Sequence, residues 1–80
     1  MTIGEAIKVR ILELCKERRI TTNKLSIISG VTQSTISNIV TGRNCSVTVK
    51  TLKRLCDGLE INMNDFFADD IFVGLEEETK

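Results

Sequence analysis

The sequence predicts an all-α fold: a compact bundle of five helices in one small domain, followed by a short acidic extension. Three observations point there. Apolar residues recur at three- and four-residue spacing in segment after segment. A Ser, Thr or Asn stands before most of these segments, where a helix start needs a side-chain acceptor. A glycine, Gly30, stands where two of them must meet at a sharp turn. Eighty residues make one domain. A chain of that size buries only about 60–65% of its unfolded surface, so the core is small and every helix must contribute to it.

The first helix is expected over residues 3–18, with Ile7, Ile11, Leu14 and Cys15 forming one apolar stripe. Arg18 and Arg19 suit its negative C-terminal end. Ile20 seals the core, and Thr22 is placed to cap a second helix over residues 23–29. The inward set of that helix is Leu25, Ser26, Ile28 and Ser29, with Ile27 pointing away. After Gly30, Val31 plugs the turn into the core, and Thr32 caps a third helix over residues 33–41. Ile36, Ile39 and Val40 face inward there, and Gly42 is a stop signal. Residues 43–47 form a loop. Thr48 caps a fourth helix over residues 49–59, striped by Leu52, Leu55, Cys56 and Leu59. Asn62 caps a short fifth helix with Asp65 at its third position, and Phe66 and Phe67 are expected to anchor the core. No sequence repeat or long linker is evident. The expected division is a helical domain over residues 1–67 and an acidic extension over residues 68–80, whose apolar members are Ile71, Phe72, Val73 and Leu75.

Composition narrows the function classes. Histidine is absent, which removes the commonest acid–base catalyst near neutral pH and the commonest metal ligand. There is no glycine-rich phosphate loop and no nucleophile–base pair at a familiar spacing. Hence no enzyme activity, cofactor or metal is expected. No apolar run nears the ~20 residues that span a bilayer, and the N-terminal residues lack a signal-peptide pattern. The expectation is a cytoplasmic protein without a membrane partner. Three cysteines at spacings of 30 and 11 fit no zinc pattern. Cys15 and Cys56 read as small buried apolar residues. Cys45 lies in the loop beside Arg43, where an inert thiol and a redox-sensing thiolate are both compatible with the sequence. Net charge is zero, but residues 1–55 hold ten bases and three acids, while residues 56–80 hold one base and eight acids. A chain split this way can present a basic face despite its neutrality.

Residues 22–42 carry the chemistry. Gln33, Ser34, Ser37 and Asn38 lie opposite Ile36, Ile39 and Val40 on the third helix, with Gln33/Ser37 and Ser34/Asn38 each four apart. The major groove of B-DNA admits one helix and shows each base pair as a distinct donor–acceptor pattern, which amide and hydroxyl side chains can match. Open amides at the start of the second helix, beside Thr22 and Asn23, suit a phosphate, and Arg43 and Asn44 are placed to hold another.

This constellation resembles the Cro and phage-repressor helix-turn-helix proteins, the Xre family. The residues that carry the resemblance are Leu25-Ser26, Ser29-Gly30-Val31-Thr32, Ser34-Thr35-Ile36-Ser37 and Gly42-Arg43, with Thr51-Leu52, Leu59 and Asp65-Phe66-Phe67 downstream. It covers about residues 7–67. It implies a lambda-repressor-like helix-turn-helix domain that regulates transcription, typically as a repressor. By the same resemblance Gln33, Ser34 and Asn38 are the base readers, joined by Ser37. Thr22, Asn23, Thr35, Thr41, Arg43 and Asn44 are the implied contacts to the DNA backbone. Many members place a buried Arg–Glu pair at the positions of Cys15 and Val40, and Ala at that of Ser26. Apolar residues at the first two should pack as well or better.

The implied partner is double-stranded DNA, bound by a homodimer, because one small domain covers only half of a two-half-site operator. The competing reading is a protein-interaction module, such as an antitoxin, that binds a basic partner through residues 68–80.

Overall fold

The computed structural model describes residues 1–41 and 47–76. Five α-helices follow one another: α1 (Ile3–Glu17), α2 (Thr22–Ser29), α3 (Gln33–Thr41), α4 (Val49–Gly58) and α5 (Met63–Phe66), with a 3-10 turn at Asp70–Phe72. Among the described residues there is no strand, only an isolated bridge between Thr2 and Glu76. Helix α1 packs on α3, α2 packs on both α3 and α4, and α4 holds α5. One core joins them, with Leu25, Leu55, Cys56 and Phe66 fully buried at its centre.

The helix starts follow the capping rule. Thr2 and Glu5 form a reciprocal box at α1: the Thr2 hydroxyl accepts from the Glu5 amide, and the Glu5 carboxylate accepts from the Thr2 amide at 2.9 Å. The Thr2 amide, and then the Thr2 hydroxyl at 3.2 Å, donate to the Glu5 carboxylate and hold its carboxyl below the ordinary pKa. A depressed carboxylate contributes stability that is complete above the unfolded-state pKa and is lost as pH falls through the folded one. Thermal melts at pH 5 and pH 3 should therefore show a smaller acid-induced drop for Glu5→Gln than for the native chain. An equal drop would place the acid sensitivity elsewhere.

Thr48 and Asn62 cap α4 and α5 as expected. At α2 the cap is Thr21, whose hydroxyl accepts from the Lys24 amide at 3.1 Å, and Thr22 is the first helical residue. Helix α1 stops one residue earlier than the periodicity implies, with Arg18 as C-cap, and α4 stops at Gly58 with Leu59 as C-cap.

Two side chains expected inside lie partly outside. Ile28 is 39% exposed and Phe67 38% exposed. Helix α2 has only eight residues, of which Leu25 alone is fully buried, so its apolar contact is narrower than its spacing suggests. Phe67 instead joins a ring cluster outside the core proper. It stands edge-on to Phe66 at 5.1 Å and to Phe72 at 4.9 Å between ring centroids. Ile71, Phe72 and Leu75 are half-buried, whereas Val73 is 78% exposed. The chain beyond Phe67 thus lies against α1 and the ring cluster, with the Glu76 amide donating to the Met1 carbonyl at 3.0 Å.

A structural repeat lies beneath a sequence that shows none to inspection. Both α1 and α4 end with a non-glycine residue in the left-handed region, Arg19 at φ 54° and Glu60 at φ 57°. In each case the next amide returns to a carbonyl five residues back, Ile20 to Cys15 and Ile61 to Cys56, both at 3.0 Å. In each case a polar cap follows, Thr21 or Asn62, and then a fully buried side chain, Leu25 or Phe66. The α1–turn–α2 unit is used again as α4–turn–α5.

Candidate nucleic-acid interface

The joint between α2 and α3 is built by its serines as well as its glycine. Gly30 caps α2 at φ +74°, where an L side chain would be strained, and its amide donates to the Ser26 carbonyl at 3.0 Å. The Ser26 hydroxyl donates across the turn to the Val31 carbonyl at 2.7 Å. The Ser29 hydroxyl donates to the Leu25 carbonyl at 2.6 Å and accepts from the Val31 amide at 3.2 Å. Val31 is buried below them. Four hydrogen bonds within seven residues therefore fix how α3 leaves α2. The part played by Ser26 and Ser29 was missed in the sequence, although serines flanking a turn glycine are suited to bond local backbone.

Helix α3 begins with the Thr32 hydroxyl accepting from the Thr35 amide at 3.2 Å. Ile36 and Ile39 are buried and Val40 half-buried, so the opposite face looks outward. Gln33, Ser34 and Ser37 are exposed on it and Asn38 is half-buried. None of these four side chains has a hydrogen-bond partner among the described residues, so their donors and acceptors stay open to a ligand. Thr35 and Thr41 differ. The Thr35 hydroxyl pairs with that of Thr32 at 2.8 Å, and the Thr41 hydroxyl donates to the Ser37 carbonyl at 2.7 Å. At helical spacing Thr41 shares the outward face, while Thr35 turns to its flank. Thr22 is half-buried and Asn23 exposed in the first turn of α2, where Thr21 satisfies only the Lys24 amide. Gly42, Arg43, Asn44 and Cys45 lie outside the described residues.

The basic residues divide into two groups. Arg10 donates to the carbonyls of Phe66 and Asp65 at 2.8 and 3.0 Å and meets Asp69 at 3.5 Å. Arg18 donates to the Leu59 carbonyl at 2.8 Å. Lys53 pairs with Asp57 one turn along α4. These three serve the fold. Lys8, Lys16, Arg19, Lys24, Lys50 and Arg54 have no ion-pair partner among the described residues. The basic excess available to an outside anion is therefore smaller than the sequence tally, and part of it is neutralised by the acidic C-terminal stretch. Burial pushes the thiols of Cys15 and Cys56 up, which keeps them protonated and unreactive. Among the described residues no helix is long and apolar enough to cross a membrane.

Comparison with known proteins agrees with this geometry. Residues 10–70 match the Cro/C1-type HTH DNA-binding domain. The chain is 32% identical over 65 residues to the SPbeta prophage-derived uncharacterized HTH-type transcriptional regulator YopS of Bacillus subtilis (strain 168), covering 81% of this chain and 84% of that one. The fold superposes on prophage Lp1 protein 11 with a TM-score of 0.81 and 28% identity, covering 94% of this chain and 99% of that one. It also superposes on the restriction-modification controller protein C.Esp1396I with a TM-score of 0.79, at 21% identity, covering 98% and 99%. With the α2–turn–α3 joint, the open polar face of α3 and a match over three quarters of its length, this chain belongs to the Cro/C1-type helix-turn-helix DNA-binding domain family.

Proposed function

We propose that this protein is a sequence-specific transcriptional regulator of the repressor type, acting in the cytoplasm on operator DNA. Helix α3 enters the major groove with Gln33, Ser34, Ser37 and Asn38 against base edges. Thr22, Asn23, Thr35, Thr41, Arg43 and Asn44 hold the sugar–phosphate backbone on either side. The single observation that carries this reading is the outward face of α3: its four candidate readers have no partner among the described residues, and the turn behind them is fixed by Ser26, Ser29 and Gly30. One domain of this size reads one half-site, so a homodimer on two half-sites about one DNA turn apart supplies the specificity an operator needs. No chemistry is catalysed in this reading.

Residues 1–67 form the DNA-binding domain in this proposal and residues 68–80 its acidic extension. The rival role as a protein-interaction module draws on that extension. Its described part lies against α1 rather than projecting as a free arm, which favours the DNA reading.

Selection of binding sites from random duplexes tests the proposal. A two-half-site motif should be enriched at moderate salt. Asn38→Ala and Gln33→Ala should each cost about 1–3 kcal/mol on that motif and little on unrelated DNA. Arg43→Ala should weaken binding to every sequence and reduce the steepness of the salt dependence by about one ion. No enriched motif, or full binding by both amide variants, sinks the proposal.

A further inference from the structure

Resting on the DNA reading proposed above, we infer that the operator presents A·T base pairs to α3, and that this layer of recognition is free of charge. Helix α3, QSTISNIVT, contains no acidic and no basic residue. The commonest reader of guanine is a bidentate Arg or Lys, and cytosine is read by Asp or Glu; neither has a source on this helix. What α3 offers instead is two amides, Gln33 and Asn38, and two hydroxyls, Ser34 and Ser37, all without a partner among the described residues.

An amide carries a donor and an acceptor side by side. Adenine shows the complementary pair in the major groove, an N6 donor next to the N7 acceptor. Guanine shows two acceptors, so an amide facing it leaves its own carbonyl unpaired in a desolvated interface, which is costly. The serine hydroxyls rotate to suit either base and do not oppose the preference. Gln33 and Asn38 are five residues apart, about 7.5 Å along the axis, or roughly two base-pair steps of ~3.4 Å. They therefore serve different base pairs, and the preference extends over more than one step. Asn38 is half-buried, so it has fewer rotamers to lose on binding and is the better fixed of the two.

A second consequence is electrostatic. Counterion release follows from cationic side chains on phosphates. Because α3 brings no charge to the bases, passing from a random site to the operator adds no counterion release through this helix. Specific and non-specific binding should then weaken in parallel as salt rises.

The test starts from the selected motif and measures binding by fluorescence anisotropy. Each A·T→G·C change at the steps facing α3 should lower affinity about 5- to 100-fold. Replacing adenine there with 7-deazaadenine, which lacks N7, should weaken the native protein but leave Gln33→Ala or Asn38→Ala unaffected at its own step. Arg43→Ala should keep the sequence preference, and the two salt slopes should differ by less than about one. A motif with obligatory guanines, sensitive to 7-deazaguanine at the steps facing Gln33 or Asn38, overturns the inference while leaving the DNA reading intact. So does loss of the preference in Arg43→Ala, or salt slopes that diverge. The absence of any motif defeats the underlying DNA reading as well. Unchanged thermal melts establish that the variants are folded.

Discussion

Replacing Arg10 with alanine is expected to lower stability by about 2–4 kcal/mol. The guanidinium spans from α1 to the far end of the chain. Its Nε donates to the Phe66 carbonyl at 2.8 Å and an Nη to the Asp65 carbonyl at 3.0 Å, so it supplies donors where α5 runs out of its own. Its charge also lies 6.0 Å from the centroid of the Phe66 ring. The contact with Asp69, at 3.5 Å and with that carboxylate one-third exposed, adds little because water screens it. The two carbonyl bonds dominate: hydrogen bonds to a charged group are worth about 1.5–3 kcal/mol each, and sharing one side chain makes them less than additive. Arg10→Lys should recover only a small part, since a single ammonium does not reproduce the planar fork. Urea denaturation measures the loss. A loss under about 1 kcal/mol would mean that ring packing alone holds α5. The same variant separates two uses of positive charge. Held at a temperature where it stays folded, Arg10→Ala should keep the native salt dependence on DNA, which Arg43→Ala should not.

That division between structural and available bases was not legible in the sequence. Arg10 reaches partners 55 and 56 residues away, and Arg18 one 41 residues away. No local pattern announces a contact at such a distance, so the charge tally counts these arginines with the other bases of residues 1–55. Features set by local geometry were legible: the apolar stripes of α1 and α4, the Gly30 turn, the Thr48 and Asn62 caps. The misplaced cap at α2 shows the limit of that legibility. Thr21 and Thr22 are both good cap residues, and only the extended backbone of Thr21, at φ −88° and ψ 166°, identifies it as the cap. The α1–α2 and α4–α5 repeat escaped because its shared features are backbone ones. Arg19 and Glu60 have little in common as side chains, yet both adopt the left-handed turn that a glycine would have advertised. For the candidate interface, the helical period alone brought Gln33, Ser34, Ser37 and Asn38 onto one face. The hydroxyl bonds of Thr35 and Thr41 back to the protein became visible only in three dimensions.

Gly58→Ala should destabilise the fold by about 1–3 kcal/mol, against the ordinary expectation for its site. Alanine in place of glycine within a helix normally stabilises by about 0.5–1 kcal/mol, so the sign of the effect is diagnostic. Gly58 ends α4 where it crosses the end of α2. A Cβ there would stand 2.9 Å from both Cα and Cβ of Ser29 and 3.0 Å from its amide nitrogen. These are backbone and near-backbone atoms, which no rotamer change can move aside. Nor is Ser29 free to retreat, because its hydroxyl is bonded to the Leu25 carbonyl and the Val31 amide. The strain must pass into the joint that sets α3 against α2. Gly30→Ala is the contrasting case. Nothing lies within 4 Å of a Cβ there, so its cost, about 1–2 kcal/mol, comes from the backbone at φ +74° alone. Both variants should also lower affinity for the operator under conditions where they remain folded, since correct placement of α3 depends on the joint. A Gly58→Ala protein as stable as the native one, with undiminished operator affinity, would show that α4 slides past Ser29 without cost and that the joint is held by α2 and its serines alone.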